Sequence, residues 1–560
     1  MNPGVSDPSP PPAPAPREAD DHRPLARAVR AVSLVTLLSR VAGLIRNVVV
    51  ARIFGDTAVG SAFAAAFQTP NMFRRLFGEG ALSAAFIPAY SAARREDEAG
   101  AGAGAADGAG AGPRRADALA SWTMLALGVA TAALTAVIEV VLLALLLFMD
   151  HSPERALSLK LIMVMLPFMP LICGAAILAG MLQVHGRFAW SSSGPLVLNA
   201  FVVGAGVYFI ATGTVGGEVT AYALAAATTL SGLTQVVFFL RLLRPHVRWT
   251  SAFESARAEA VIMLRRFVPV AIGMGTIQLN AFFDMLIAMW PTWIGPTVLG
   301  SAYPLDKASN AILFNTQQIY QFPLGVFGIA VATAVFPLLA RHARHAEDFL
   351  LTLRRGLRLS LLIGIPASIG LVLVRHDITG VLYGHGGNSF STDGVARAAM
   401  VLGAFAPGVW AYSLNHVLTR AFYAQGDTRT PMLVSVSMVA LNLALNVTLI
   451  WPLREAGLAL ATTITATLQC LVLAHLARRL TGQRAVADSG VIGAGGRIAL
   501  AAAVMCAAVL VVQWALGERD SWWWQLLRLA CATGAGGAVF LVAAAALRVR
   551  ELGWLLGARR

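Results

Sequence analysis

Five charged residues interrupt two long apolar stretches near the start of the chain, and their chemistry is that of an anion-binding site. Arg40 and Arg46 lie in SRVAGLIRN, and Arg74, Arg75 and Glu79 lie in NMFRRLFGEG. An ionised side chain inside a membrane costs from about 2.5 to more than 10 kcal/mol unless it faces water or a partner. Arginine presents a planar fork of donors that fits phosphate oxygens. Several such forks around a water-filled cavity predict binding of a diphosphate or a similar anionic head group.

Within this set, Arg75 and Glu79 are four residues apart, so on a helix they share a face and can pair. The corresponding stretch in the second half of the chain, NTQQIYQFPLGVFG, carries no charge. The alternative is that some of these arginines snorkel to the membrane interface or cap a helix C-terminus. That alternative is preferred for Arg52, near the end of the first apolar stretch.

A second polar set lies among apolar residues in the second half of the chain, and its members are Asp284, Asn442, Asn446 and Thr462. The two asparagines are four residues apart and share a helix face. One carboxylate with amide and hydroxyl oxygens can ligate a small hard cation, so this set is a candidate Na⁺ site. Two alternatives stay open: interhelical hydrogen bonding, which is common for Asn and Thr in membranes, and proton transfer by Asp284.

The composition predicts the medium in which these residues lie. Of the 560 residues, 57% are hydrophobic and 13% are charged, whereas a soluble domain has about 45–50% apolar and about 25% charged residues. We therefore expect an all-α polytopic membrane protein. The net charge of +14 is not concentrated with aromatic residues on a soluble face, which argues against nucleic-acid binding. The sequence has no Walker loop, GxSxG or HExxH motif, so we expect no enzymatic activity and no cofactor.

The apolar stretches have the length of membrane spans. A bilayer core of about 30 Å needs roughly 20 residues of helix, and fourteen stretches meet this requirement. They cover approximately residues 31–54, 57–93, 116–149, 156–184, 193–213, 218–244, 260–290, 307–341, 351–374, 395–424, 431–451, 455–479, 491–516 and 522–548. The second and eighth are too long for one straight crossing, and each contains a proline, Pro70 or Pro323, that should bend or break the helix.

Arginines accumulate in alternate links between these stretches, which predicts the orientation of the chain. The links FGDT, TGTVGGE, WPTWIGP and GERD together hold one arginine, Arg519, whereas the links between them are rich in arginine. Because positively charged residues stay in the cytoplasm, both termini are predicted to be cytoplasmic.

An internal repeat predicts two lobes. FGEGALSAAFIP and FGIAVATAVFP are about 250 residues apart, or six spans. Repeats of six spans have the same orientation, and two such lobes with a substrate site at their interface form a transporter architecture; chance similarity between Ala/Gly-rich helices is the alternative. The expected divisions are a disordered Pro-rich tail (1–30), an N-lobe (31–250) with a flexible Gly/Ala loop (98–113), a C-lobe (251–485), and two further helices with a C-terminal tail (486–560).

Four runs of the sequence resemble the MurJ (MviN) family, the lipid II flippases of the multidrug/oligosaccharidyl-lipid/polysaccharide exporter superfamily. They are SRVAGLIRNVVVARIFG, FQTPNMFRRLFGEGALSAAFIP, QFPLGVFGIAVATAVFP and FYAQGDTRTP. The resemblance implies fourteen helices in two six-helix lobes, with helices thirteen and fourteen forming a hydrophobic groove for a polyprenyl tail. It also implies alternating access that moves the lipid-linked peptidoglycan precursor, lipid II, from the inner to the outer leaflet of the bacterial cytoplasmic membrane for cell-wall synthesis.

The resemblance also assigns site residues by position. The head group of the substrate would be bound by Arg40, Arg46, Arg74, Arg75 and Glu79. A Na⁺ site reported in some members would fall on Asp284, Asn442, Asn446 and Thr462, with Na⁺ or H⁺ as the coupling ion. The sequence departs from the family in two respects: Ser61 stands where some members have an aspartate, and Gln317 and Gln318 stand where they have an acidic–basic pair.

The expected partners are lipid II, membrane lipids and the cell-wall synthesis machinery. Two other functions stay open. The first is export of another lipid-linked oligosaccharide, for which the two glutamines leave room. The second is a non-transporting membrane scaffold of cell-wall synthesis. A cationic-drug exporter is disfavoured because its cavity should be acidic rather than rich in arginine.

Overall fold

The computed structural model describes residues 22–75, 82–102, 114–149, 151–481 and 489–555, and within them the chain is almost entirely helical. A short antiparallel ribbon pairs Thr297–Val298 with Ser301–Ala302 in a link between two helices. The predicted all-α class is therefore confirmed.

The helices fall into three consecutive groups. The first comprises α1 (His22–Phe54), α2 (Ala58–Phe73), α3 (Leu82–Gly102), α4 (Arg115–Phe148), α5 (Pro153–Met165), α6 (Phe168–Val184), α7 (Phe188–Ser191), α8 (Gly194–Ala211) and α9 (Glu218–Leu243). The second comprises α10 (Arg257–Trp293), α11 (Ser309–Pro323), α12 (Ile329–Arg341), α13 (Ala346–Leu373), α14 (Arg375–Tyr383), α15 (Thr392–Phe405), α16 (Val409–Ala424), α17 (Arg429–Leu453), α18 (Glu455–Leu476) and α19 (Arg478–Thr481). The third comprises α20 (Ser489–Leu516), α21 (Trp522–Ala546) and α22 (Arg550–Leu555).

Among the described residues, 12 helical stretches are long and apolar enough to cross a membrane. The expected spans 57–93 and 260–290 are not among them. Part of the first lies outside the described residues, and the second falls within α10 (Arg257–Trp293), whose 37 residues are long enough for one crossing. The count of fourteen therefore stays a prediction.

Two helices extend beyond the boundaries expected from the sequence. α1 begins at His22, so the end of the expected tail (1–30) is helical; Pro24 lies in the first turn, where a missing N–H is tolerated. α3 continues to Gly102, into the expected flexible loop (98–113). Arg94 and Glu98, one turn apart, form an ion pair of 2.8 Å that supports this extension. The remainder of both segments lies outside the described residues.

Both prolines expected to disturb a helix lie where a helix ends. Pro323 is the last residue of α11, and a π-helical turn, Leu324–Gly328, follows it before α12. Pro70 lies in the last turn of α2. Proline removes a backbone donor and clashes with the preceding turn, so it weakens the helix at each place. In the C-lobe the regular α-helix is therefore interrupted by a π-turn just before the repeat motif, and the corresponding stretch of the N-lobe continues outside the described residues.

The buried apolar side chains form several clusters. One contains residues between 50 and 263, together with Phe314 of α11. A second contains residues between 332 and 477. A third joins Ala51 of α1 to residues between 288 and 459, and is an apolar contact between the lobes. A fourth packs α20 and α21 against α13.

At one end of the molecule the two lobes are joined by polar contacts that we call the clasp. The carboxylate of Asp56, between α1 and α2, accepts hydrogen bonds from the backbone N–H of Ser391 (2.8 Å) and from its hydroxyl (2.5 Å). Ser391 is the N-cap of α15 and accepts from the N–H of Gly394. An N-lobe carboxylate therefore lies at the N-terminus of a C-lobe helix, where the helix dipole favours negative charge.

The clasp continues on both sides of Asp56. The amide of Asn388 donates to the carbonyl of Ile53 at 3.3 Å. Gly55 ends α1 with a φ of 61°, and a Cβ there would lie 2.5 Å from the Asn388 carbonyl oxygen, so this approach requires glycine. Lys307 of the C-lobe and Glu154 of the N-lobe form an ion pair of 2.9 Å.

Ser61, which replaces the aspartate of some family members, also belongs to the clasp. Its hydroxyl accepts from the backbone N–H of Ala311 at 3.0 Å, and its carbonyl accepts from the Asn310 amide at 2.9 Å. The side chain of Ser61 is fully buried. At this position the lobes are therefore joined by neutral hydrogen bonds rather than by an ion pair.

A charge cluster around the buried pair of Arg397 and Glu455 supports the C-lobe side of the clasp. Arg397 of α15 pairs with Asp306 at 2.8 Å and with Glu455, and Arg454 pairs with Asp306 at 3.0 Å. Burial by itself would raise the pKa of Asp306, but the hydrogen bonds and charge of Arg397 outweigh burial and lower it. The cluster holds the link that carries Lys307 against α15 and α18.

Candidate functional site

A cavity of about 590 Å³ lies between the two lobes. Helices α1, α2, α6, α8 and α9 form one wall, and α10 and α11 form the other. The volume lies within the range of pockets that bind small molecules or head groups. The cavity is where the repeat predicts a substrate site, at the interface of the lobes.

Four of the five residues expected at the anion site line this cavity: Arg40, Arg46, Arg74 and Arg75. The fifth, Glu79, lies outside the described residues. None of the described residues that line the cavity is acidic. The described lining is therefore cationic, as an anionic ligand requires.

Arg46 is held in place by neutral groups. Its Nε and Nη2 donate to Oδ1 of Asn47 at 3.2 and 2.9 Å, and its Nη1 donates to Oδ1 of Asn199 at 3.1 Å. Asn199 is fixed in turn because its amide donates to the carbonyl of Ser39. The guanidinium also lies 4.6 Å from the centre of the Phe67 ring. These contacts orient the cation without cancelling its charge, because amide oxygens and aromatic faces carry no net charge.

Arg40 reaches across the interface to the C-lobe. A Cβ at Gly325, in the π-helical turn after Pro323, would overlap the Arg40 guanidinium. Gly325 is buried, so the arginine packs directly on the C-lobe backbone. Arg74 lies on the N-lobe wall, where its Nε donates to Oδ1 of Asn71 at 3.2 Å.

The cavity lies away from the clasp. Arg46 and Arg40 are eight and fourteen residues before the end of α1 at Phe54, which corresponds to about 12 and 21 Å along the helix. Ala65 of α2 and Ile312 of α11, between the clasp and the cavity, have 0% exposure. The cavity is therefore closed towards the clasp, and it extends towards the opposite end, where α6 ends and α8 begins.

The second polar set is brought together inside the C-lobe. The amide of Asn446 donates to Oδ1 of Asp284 at 2.6 Å and to Oδ1 of Asn442 at 2.9 Å. The amide of Asn442 approaches the hydroxyls of Thr462 and Thr465, each at 3.4 Å. Oδ1 of Asn446 is buried and has no hydrogen-bond partner. A buried acceptor beside one carboxylate fits a monovalent cation, because the set supplies a single negative charge with neutral oxygens.

A second cavity, of about 620 Å³, is apolar. It lies between α13, the Pro407–Trp410 region and Cys506 of α20. The groove expected for a polyprenyl tail was assigned to the two helices of 486–560. Most of this cavity's described lining comes from α13, and Cys506 is its one contact from those two helices, so the groove on residues 486–560 stays a prediction.

Two parts of the site are not recognisable in the sequence. Asn199 is 153 residues from Arg46, and a single asparagine in an apolar helix carries no signal of its partner. The clasp loop, YGHGGNSFS (383–391), has the composition of an exposed turn, yet it packs on the N-lobe through Asn388 and Ser391. Its glycines, asparagine and serines are typical of any turn.

Known protein families were compared with the chain. The family model of the lipid II flippase MurJ matches residues 50–527. A probable lipid II flippase MurJ of Vibrio cholerae is 29% identical over 513 residues, covering 88% of this chain and 89% of that protein. The corresponding protein of Haemophilus influenzae is 30% identical over 463 residues, covering 78% of this chain and 83% of its own length.

Solved structures have the same fold. A structure of the lipid II flippase MurJ in an inward closed conformation matches with a TM-score of 0.72 and 21% identity, over 93% of this chain and 99% of that one. An inward-facing multidrug resistance MATE family transporter of the MOP superfamily matches with a TM-score of 0.61 and 12% identity, over 81% of this chain and 100% of that one. These likenesses concern the fold.

Proposed function

The chain belongs to the lipid II flippase MurJ family, and from this premise we propose how its residues move lipid II between the leaflets of the bacterial cytoplasmic membrane. The chain is a multi-pass membrane protein. In the proposed cycle, lipid II enters at the inner leaflet, its head group occupies the cavity, and the lobes rock to release it at the outer leaflet.

One observation carries the proposal: four arginines line a cavity between the lobes whose described lining has no acidic residue. Lipid II has a diphosphate between its polyprenyl tail and its sugars. Arg46 is already oriented by Asn47 and Asn199, so little side-chain entropy is lost when it binds phosphate. Arg40 contacts the C-lobe at Gly325, so a ligand that engages Arg40 can affect how the lobes meet.

The clasp has the strength expected of a reversible closure. A neutral hydrogen bond contributes about 0.5–1.5 kcal/mol net, and an exposed ion pair such as Lys307–Glu154 contributes about 0–1 kcal/mol. Reversal of a two-state equilibrium from 1:99 to 99:1 takes about 5.5 kcal/mol of differential binding. A few such contacts can therefore be opened and re-formed in each transport cycle.

We place the clasp at the outer face of the membrane and both termini in the cytoplasm. The links at the clasp end are poor in arginine, whereas the opposite links are rich in it. In this orientation the described conformation is closed to the outside, with its cavity directed towards the cytoplasm. Association with the cell-wall synthesis machinery stays a prediction.

For energy coupling, we propose that Asp284, Asn442, Asn446 and Thr462 hold Na⁺. The ion would supply a positive charge that neutralises the buried carboxylate and replaces the contact between Asp284 and Asn446. Since α10 and α17 both contribute ligands, loading of this site can bias their packing in the C-lobe. Proton binding by Asp284 is the alternative form of coupling.

For the lipid tail, we propose the apolar cavity on α13. It is about 620 Å³ in volume and its lining is almost free of polar groups. A polyprenyl chain is apolar throughout, so it can stay in this cavity or in lipid while the head group crosses.

The function is tested by complementation in cells that are depleted of their own flippase. The variant with Arg40, Arg46 and Arg74 all changed to alanine is expected to support no growth, because each charge-assisted hydrogen bond contributes about 1.5–3 kcal/mol. The matched control removes three exposed arginines outside the cavity, Arg341, Arg344 and Arg355, and should restore growth. Normal growth of the cavity variant at a normal protein level would contradict the assigned role.

A further inference from the structure

The cavity concentrates glutamine to a degree that anion binding does not explain. The chain has twelve glutamines, and seven of them line this one cavity although its lining is a small fraction of the chain. They are Gln68, Gln183, Gln235, Gln278, Gln317, Gln318 and Gln321. The arginines can bind the diphosphate, so we expect the glutamines to bind a different part of the ligand.

The two walls of the cavity differ in chemistry. All four lining arginines come from the N-lobe, whereas every polar residue that the described C-lobe wall contributes is a glutamine. These are Gln278 of α10 and Gln317, Gln318 and Gln321 of α11, and we call them the glutamine wall. Gln321 lies three positions after Gln318 and four after Gln317, so it shares a face of α11 with each of them. Phe282, Phe314 and Phe322 lie between them in the lining.

A glutamine amide offers two donors and one acceptor oxygen without a net charge. It can pair reciprocally with another amide or with a hydroxyl, and it binds a phosphate less strongly than a guanidinium does. Aromatic rings beside such amides can cover the apolar faces of sugar rings. The wall is therefore suited to a neutral ligand that bears amides and hydroxyls, such as N-acetylated sugars.

The amides of the wall are accessible from the cavity. The side chains of Gln278, Gln317, Gln318 and Gln321 are all half-buried. Among the described residues, no hydrogen bond occupies the side-chain amide of Gln278 or of Gln318. A half-buried amide that stays unpaired when a ligand displaces water loses free energy, so this wall disfavours a ligand that has nothing to pair with it.

We propose that the glutamine wall binds the neutral, amide- and hydroxyl-bearing part of the head group and selects glycan-bearing carrier lipid over bare carrier diphosphate. This inference rests on the proposed function. The arginines bind the diphosphate that both lipids share, and the glutamine wall binds the part that distinguishes them. A site built to hydrogen-bond a ligand rejects an analogue that lacks the group.

The test measures binding to the full chain in lipid nanodiscs with three probes. They are lipid II, undecaprenyl-diphosphate disaccharide without the peptide, and undecaprenyl diphosphate. The variant is Gln278→Met, Gln318→Met and Gln321→Met combined, because methionine keeps the volume and removes the hydrogen-bonding groups. The control is Gln469→Met, at a glutamine outside the cavity that contacts Ser435.

The wild type is expected to prefer lipid II over undecaprenyl diphosphate, and the triple variant should lose at least about tenfold of that preference. Its affinity for undecaprenyl diphosphate should not fall, because the arginines that bind the diphosphate are kept, and Gln469→Met should behave as the wild type. If the disaccharide probe shares the loss, the wall binds the sugars; if only lipid II does, it binds the peptide amides, and either result supports the proposal.

An unchanged preference in the triple variant would overturn the inference, and so would an equal loss of affinity for all three probes. A wild type that binds lipid II and undecaprenyl diphosphate equally would also overturn it while leaving the proposed function intact. Failure of the proposed function would instead appear as a wild type that neither binds nor translocates lipid II.

Discussion

At the scale of single residues, the partners of a buried arginine separate a structural role from a ligand-binding one. Arg397 is buried and contacts Asp306 and Glu455, so its charge is matched inside the protein. Arg46 contacts Asn47 and Asn199, whose amide oxygens orient it but leave its charge available. Burial of an unmatched charge is costly, and such a residue persists where a ligand or water in the cavity meets it.

A prediction at the same scale concerns Asp284. Substitution of Asp284→Asn removes the one carboxylate among the four candidate Na⁺ ligands and should abolish stabilisation of the purified protein by Na⁺. A ligand that binds the folded state raises the melting temperature by mass action. The measurement is the Tm in NaCl against the Tm in choline chloride at equal ionic strength.

The control for this prediction is Thr448→Ala, on the same helix α17 but bonded to its own backbone. It should retain the Na⁺-dependent shift of the wild type. A Na⁺-dependent shift that survives in Asp284→Asn would exclude this site, and a shift absent from the wild type would favour the proton alternative.

The sequence identifies these charged residues but not their surroundings. Arginine and aspartate in apolar stretches stand out because burial of charge is rare and costly, so Arg40, Arg46 and Asp284 can be chosen from one sequence. Asn47 and Asn199, which orient Arg46, cannot be told from other interhelical asparagines in the sequence. Asn199 is 153 residues from Arg46, and only the folded structure brings the two side chains together.

At the scale of the elements, the π-helical turn after Pro323 contacts the N-lobe. Gly325 lies in the π-helical turn, buried against the Arg40 guanidinium. A π-turn widens the helix, and such turns often occur at functional sites. The turn therefore brings C-lobe backbone to an N-lobe arginine, and Gly325 is the residue that makes the approach possible.

We predict that Gly325→Ala is less stabilising than the same change in an ordinary helix, because its Cβ would overlap the Arg40 guanidinium, which must move aside. In an ordinary helix the same change would stabilise by about 0.5–1 kcal/mol. In an Arg40→Ala background the overlap is gone, so Gly325→Ala should then be neutral or stabilising. The measurement is the Tm of the two single variants and the double variant in detergent, which forms a double-mutant cycle.

Gly370→Ala serves as the control, since a Cβ there meets no atom within 4 Å. It should have the same effect with or without Arg40. Additive effects of Arg40→Ala and Gly325→Ala would show that the two residues do not contact each other in the folded protein.

Local chemistry explains which features of the elements the sequence reveals. Pro70 and Pro323 act on their own helices, so breaks there can be predicted without the fold. The π-turn cannot be predicted in this way, because its five residues depend on packing between the lobes. The continuation of α3 to Gly102 cannot be predicted in this way either, because the Gly/Ala composition of 98–113 is typical of a flexible loop and one Arg94–Glu98 pair adds only about 0.2–0.5 kcal/mol.

At the scale of the whole molecule, the clasp and the cavity lie on opposite sides of one interface. The clasp joins Asp56 to Ser391 and Ser61 to Ala311, while the arginines face the cavity further along α1 and α2. Two lobes that meet at one end and enclose a cavity directed towards the other end can alternate by rocking against each other. The sequence predicts the lobes through their repeat, but it does not predict the clasp, which needs loops from both lobes to meet.

Asp56 should contribute most of the free energy that keeps the clasp closed, and the Lys307–Glu154 ion pair should contribute little. Loss of two hydrogen bonds to a charged acceptor costs about 1.5–3 kcal/mol each, and 1.4 kcal/mol changes an equilibrium tenfold. Both partners of the ion pair are partly exposed, at 47% and 35%, and such pairs contribute about 0–1 kcal/mol. Asp56→Ala should therefore raise the open population at least about tenfold, and Lys307→Ala less than about fivefold.

The open population can be measured as the rate at which a membrane-impermeant maleimide, added from outside, labels a cysteine at position 61. Ser61 is fully buried within the clasp, so Ser61→Cys in a variant lacking the four native cysteines is labelled only when the clasp opens, and every variant is compared in this same background. Ser391→Ala added to Asp56→Ala should change the rate no further, because both remove one interaction. Equal rates with and without Asp56, or a larger effect from Lys307→Ala, would mean that apolar packing between the lobes, rather than the carboxylate at the start of α15, keeps this end closed.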